Sequence, residues 1–153
     1  MKKIFFFSFG IIFLTFSIAS CSLLNPAPTG EVQQRKQRWM AQNILNYRYV
    51  LENRCFCVAE VRQPVQIEVR NGQMRSIKTY DGGRSVNEEY FEKYDTIPKL
   101  FDLIRASVDR KAAKISVDYD LKLGFPTRIF IDLSENIADE EINLDVYAFE
   151  VIR

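Results

Sequence analysis

Two of the chain's three cysteines stand one residue apart, in Arg54-Cys55-Phe56-Cys57. That spacing is open to three chemistries. A pair of thiolates can grip a soft ion such as Cu(I) or Zn(II), although two ligands are too few for a closed zinc site. The pair can instead act as a redox-active dithiol, because strained disulfides are the easier ones to reduce. Or it can close a small covalent ring. Along a regular strand, residues two apart have Cα atoms roughly 6.6 Å apart and sulfurs badly placed for bonding. A Cys55–Cys57 bond therefore requires the segment from Arg54 to Cys57 to turn or bulge. Phe56, pointing away from the sulfurs on a strand, is expected to pack.

The remaining chemistry is sparse. The sequence holds no histidine, which removes the commonest general base and the commonest zinc ligand together. No Ser-His-Asp triad, papain-like pair or HExxH site can be built, and neither a P-loop nor a GxGxxG motif is present. We expect no enzyme and no cofactor. The loop "DLSENIADEE" offers oxygens at Asp132, Asn136 and Asp139, weak candidates for calcium without the glycine and final glutamate of an EF-hand. A solvated acidic hairpin turn is the expectation there.

The compartment follows from the N-terminus. Lys2 and Lys3 precede an apolar run from Ile4 to Phe16 that ends in small residues, the pattern of a secretory signal peptide over residues 1–20. Ile18-Ala19-Ser20-Cys21 resembles the lipobox of bacterial lipoproteins, which implies a diacylglycerol on Cys21. Two or three acyl chains hold a protein to a membrane stably. Ser22, not an aspartate, follows the cysteine, which leans towards the outer membrane, facing the periplasm, in a diderm cell. With Cys21 acylated in an oxidising compartment, Cys55 and Cys57 are the only pair left to bond. We take the covalent ring as the expectation.

Without the signal, 19 basic residues face 20 acidic ones, so nothing draws the chain to nucleic acid. Residues 21–30 carry the lipid and an extended linker, and residues 31–153 suit one domain with one core.

The elements that must position the cysteines read as follows. Residues 31–46 lack breakers and place Trp39, Met40, Ile44 and Leu45 at helical intervals. "YRYVLEN" alternates Tyr47, Tyr49 and Leu51 against Arg48, Val50 and Glu52, as a strand does. In "PVQIEVRNG", Val65, Ile67 and Val69 share a face and Asn71-Gly72 signals a hairpin. A two-residue loop pairs Val69 with Met74 and turns Ile77 outward. We expect a three-residue loop with a bulge, which brings Ile77 back to the face of Ile67. Residues 81–95 read as a surface connection. Thr96 caps a helix with Ile97, Leu100, Phe101, Ile104 and Val108 on one stripe. Three strands follow, with Ile115, Val117 and Tyr119, then Ile129 and Ile131, then Ile142, Leu144 and Val146 inward.

The expected fold is α+β, two helices on one face of an antiparallel sheet of about six strands, a sandwich of two layers. Each half runs helix, strand, strand, strand, which suggests a tandem duplication, with chance similarity of two proline-led strands as the alternative. Strict alternation along the last strand puts Tyr147, Phe149 and Val151 beside Phe130 on the helix-free face. An apolar cluster there would serve a partner, unless the N-terminal helix or a loop covers it.

Trp39 followed by "NYRYVLENRCFC", "PVQIEVRNG", "YDTIPKLFDLI", "GFPTRIFIDL" and "ADEEINLDV" together resemble a family of bacterial envelope proteins, many of them lipoproteins, classed only as a domain of unknown function. The resemblance spans Trp39 to about Phe149. It implies that Cys55, Cys57 and the Asp139-Glu140-Glu141 run belong to a shared pattern, and it brings no activity. By shape alone, the plan also resembles PepSY-like and β-lactamase-inhibitor-like folds. Two functions are expected from different classes: a lipid-anchored, non-catalytic module presenting a sheet face to an envelope protein or peptide, or a thiol-dependent redox or metal-binding factor acting through Cys55 and Cys57.

Overall fold

The computed structural model describes residues 28–137 and 140–153. Cys21, the signal peptide and Asp139 lie outside the described residues. The order is α1 (Pro28–Ala41), β1 (Tyr47–Asn53), α2 (Ala59–Arg62), β2 (Val65–Arg70), β3 (Gln73–Thr79), a 3-10 turn (Glu88–Phe91), α3 (Ile97–Asp109), β4 (Lys114–Tyr119), β5 (Pro126–Asp132) and β6 (Ile142–Val151). One antiparallel sheet runs β3-β2-β1-β6-β5-β4. The α+β class and the six strands stand as the sequence indicated. The two halves repeat in strand order but run in opposite directions, since β6 is antiparallel to β1.

The first helix lies earlier than expected. It begins at Pro28, inside the segment read as linker, and ends at Ala41, not Asn46. Pro28 lacks the amide that a first turn leaves unbonded, and Asn43, at φ 51°, stops the helix in the left-handed conformation that asparagine tolerates. Thr96 caps α3 as read, its hydroxyl accepting from Lys99 N at 3.4 Å. The segment 81–95 is more than a surface connection, because Phe91 in the 3-10 turn is buried.

The helices cover one sheet face. Under them lie Tyr47, Tyr49 and Leu51 of β1, Val65, Ile67 and Val69 of β2, Ile129 and Ile131 of β5, and Leu144 and Val146 of β6, all buried. Trp39 of α1 packs edge-on against Tyr47, Phe125 and Phe149, with ring centroids 5.5, 5.8 and 5.6 Å away. Two core tyrosines also hold α3 at its start: Tyr47 Oη accepts from Ile97 N at 3.1 Å, and Tyr49 Oη donates to Tyr94 O.

Two bulges decide which side chains face which way. In the β2–β3 hairpin the loop has two residues, Asn71 and Gly72, both at positive φ, and Val69 does pair with Met74. The register then shifts so that Ile77 pairs with Ile67. The bulge restores the inward face as expected, but it sits in the strand and not in a three-residue loop. In β6, Ala148 adopts φ 49° and the register against β1 slips between Arg48 and Val50. An extra residue inverts the side-chain alternation beyond it. Alanine pays for a left-handed φ, and a β-branched residue pays more. Ala148→Val should therefore destabilise the fold by about 1–2 kcal/mol while Ala148→Gly is tolerated, a difference readable in urea melts.

Candidate functional site

The β6 bulge rewrites the partner face read from alternation. Phe149 turns to the helix side and packs on Trp39, Tyr47 and Phe125. Val151 pairs with Tyr47, also on that side, and is 54% exposed at the sheet margin. Only Tyr147 and Phe130 remain on the helix-free face, opposite Val50 and Asn143 respectively. Val50, read as outward, is indeed on this face yet fully buried. Tyr147 meets Tyr80 there edge to face, centroids 6.3 Å apart.

Ion pairs, not an apolar patch, dominate this face. Asp145, with 11% of its side chain exposed, lies between two arginines: Arg128 Nε donates to Oδ1 at 3.1 Å, and Arg54 Nη2 stands 2.6 Å from Oδ2. Arg54 also reaches Glu52 at 3.4 Å, and Arg128 reaches Asp118 at 3.7 Å. The hydrogen bond and charge of Asp145, then the charge of Asp118, raise the pKa of Arg128 above its ordinary value. Further along, Arg48 grips Glu150 through Nε and Nη2 at 2.9 and 2.7 Å. The exposed members of this lattice are individually weak in water and mainly fix geometry.

The cysteines sit where β1 leaves the sheet. Arg54 N still donates to Asn143 O at 2.8 Å, then the chain bends through Cys55, Phe56 and Cys57. Cys55 and Cys57 form a disulfide-like pair with Cα atoms 5.3 Å apart, closer than an extended strand allows. Phe56, at the apex, does not pack: it is 95% exposed, which corrects the expectation from strand geometry. Behind the bend, α2 buries Val61, and Glu60 Oε1 accepts from Asn87 N at 2.7 Å. A cleft of about 510 Å³ opens beneath the bend, with Phe56 and Phe130 as aromatic walls and Arg54, Arg62, Glu52 and Glu141 as its charges. Arg62 makes no ion pair among the described residues.

The acidic loop is built as a turn. Asp132 Oδ1 accepts from Ser134 N at 3.0 Å, and Ser134 Oγ accepts from Asn136 N at 3.3 Å. Among the described residues no group of three His, Cys, Asp or Glu is placed to hold a metal ion.

Phe56 and Arg62 escaped the sequence reading. The available signal was the cysteine spacing itself, since a ring that closes only in a bend leaves its middle residue without a strand face.

Fold and site together define an α+β protein with one sheet face covered by helices, the other open, and a cleft at the open face's end. The chain belongs to the family of unknown function DUF6174, whose model matches residues 31–151. No curated protein and no solved structure matches it.

Proposed function

We propose that this protein is a lipid-anchored, non-catalytic binding module of the bacterial envelope, held by an acylated Cys21 and presenting the helix-free end of its sheet to an extended segment of a partner protein. The observation that carries this reading is Phe56, 95% exposed yet fixed at the lip of a cleft by bonded neighbours on both sides. Aromatic side chains are enriched at the centres of protein interfaces, and a ring held in place loses little freedom on binding. The fitting segment carries an apolar side chain to lie between Phe56 and Phe130 and a carboxylate to meet Arg62.

Photo-crosslinking in intact cells tests this. A crosslinking amino acid at Phe56 or Tyr147 should give one discrete protein adduct, and the same residue at Leu121, 86% exposed in the β4–β5 turn, should give none. Phe56→Ala should lower the adduct formed from position 147 by about ten-fold, the scale of one aromatic anchor at an interface. Equal labelling from all three positions would contradict the proposal. The anchor is tested separately: Cys21→Ser should abolish incorporation of labelled palmitate and release the chain from membranes.

A further inference from the structure

The two edges of the sheet are not alike. At the β3 edge the chain folds back, with Thr79 N donating to Arg84 O at 2.8 Å and Lys78 bridged to Ser85. At the other edge β4 pairs only with β5, and among the described residues nothing covers its outer side. The irregularity between β4 and β5 places the extra residue, Thr127, on β5, so β4 itself stays regular through its six residues. A bare, regular edge is a template for another strand.

The sequence of that edge is its own complement. Opposed residues of an antiparallel pair share a face, so a second β4 must align odd positions with odd and even with even. Centred on Ser116, the pairing sets Lys114 of each copy against Asp118 of the other, twice, on the helix-free side. It also sets Ile115 against Val117, twice, on the helix side, where both are half-buried. A shift of two residues to a Val117 centre loses both pairs, because Lys114 would then face Asp120. There Oδ1 of Asp120 already accepts two turn amides, from Lys122 N at 3.0 Å and from Leu123 N.

We propose that two copies of this chain associate through β4 in this register, with Ser116 on the two-fold axis and the two sheets joined into one. The interface is isologous, and both charge pairs follow from a single symmetric contact. Lys114 and Asp118 are exposed in the monomer, Asp118 holding only the 3.7 Å contact with Arg128 and Lys114 lying 5.5 Å from the Phe130 ring. A strand of about 20 Å buries less than a standard interface, so the free dimer is weak, and tethering on one membrane surface raises its effective concentration. The β4 edge adjoins the cleft proposed above through Lys114, beside the Phe130 ring, but none of its residues lines that cleft, so the two proposals are tested by different substitutions.

Charge reversal provides the test, on the full-length protein in density-matched detergent by sedimentation velocity. Wild type should show concentration-dependent dimerisation. Lys114→Asp and Asp118→Lys should each weaken it about ten-fold or more, because each turns two attractive cross-strand pairs repulsive. Mixing the two variants should restore association as a heterodimer, and the double variant should restore the homodimer. Wild type that stays monomeric overturns the proposal, and so do variants that associate as wild type does or mixtures that fail to recover. In the first case an edge strand from another protein becomes the occupant to seek.

Discussion

Trp39→Ala should lower the unfolding free energy by about 3–5 kcal/mol, the range for removing a buried aromatic from a core. Among residues 30–41 of α1, Trp39 and Val32 are the buried ones, and Trp39 is by far the larger of the two. That indole touches three rings at once, Tyr47 of β1, Phe125 before β5 and Phe149 of β6. Edge-to-face pairs add about 0.5–1.5 kcal/mol each beyond area burial. The collapse needed to fill the gap would have to draw in three strands at once, so the cavity should persist. Urea unfolding followed by circular dichroism reads the loss. A cost below about 1 kcal/mol would mean that the aromatic cluster does not hold α1.

The second large effect is alkaline. Burial pushes the Tyr47 phenol from 10.0 up to about 12, although the bond from Ile97 N pulls the other way. Tyr49 is raised well above 10.0, by burial first and then by the neighbouring Tyr47 and Asp95. An unfolded phenol releases its proton near pH 10, while the folded ones keep theirs. The unfolded state therefore binds fewer protons above that pH, and stability falls as pH rises. The contribution is intact below pH 10 and is lost between pH 10 and about 12, with Tyr47 alone supplying about 2–3 kcal/mol of the fall. The part of the phenolate absorbance that Tyr47→Phe removes should rise in step with loss of helix signal, and the same variant should remove its part of the stability slope. That variant also strands the Ile97 amide, at a cost of about 1–3 kcal/mol at neutral pH. A Tyr47 phenol, isolated as the absorbance that Tyr47→Phe removes, ionising near pH 10 with the fold intact would contradict the buried placement.

Much of the architecture was legible because apolar periodicity reports burial directly. The alternation Val65, Ile67, Val69 survives unchanged, and so does the stripe of Ile97, Leu100, Phe101 and Ile104, but in the last turn Ser107 is buried and Val108 only half-buried. What could not be read were insertions of single residues. Nothing in "VYAFEV" marks Ala148 as the place where β6 slips, since alanine carries no preference for a left-handed φ, and that one residue moves Phe149 from the open face to the core. Val50 fits the alternation of β1 yet is buried on the side without helices, between Gln66 of β2 and Tyr147 of β6. Its register neighbour Tyr147 meets Tyr80, from a distant part of the chain. Phe56 escapes strand geometry for a related reason: its neighbouring cysteines come together only where the chain leaves the strand.

The central claim is that Cys55 and Cys57 fix a binding lip and do not form a thiol centre. The direct measurement is the mass of the protein, isolated from its own cells, after denaturation and alkylation without reductant. The account predicts that both cysteines stay unlabelled within a single chain. If both take up label, the thiols are free, the lip is not covalently held, and a redox or metal-binding role through that pair displaces the binding module.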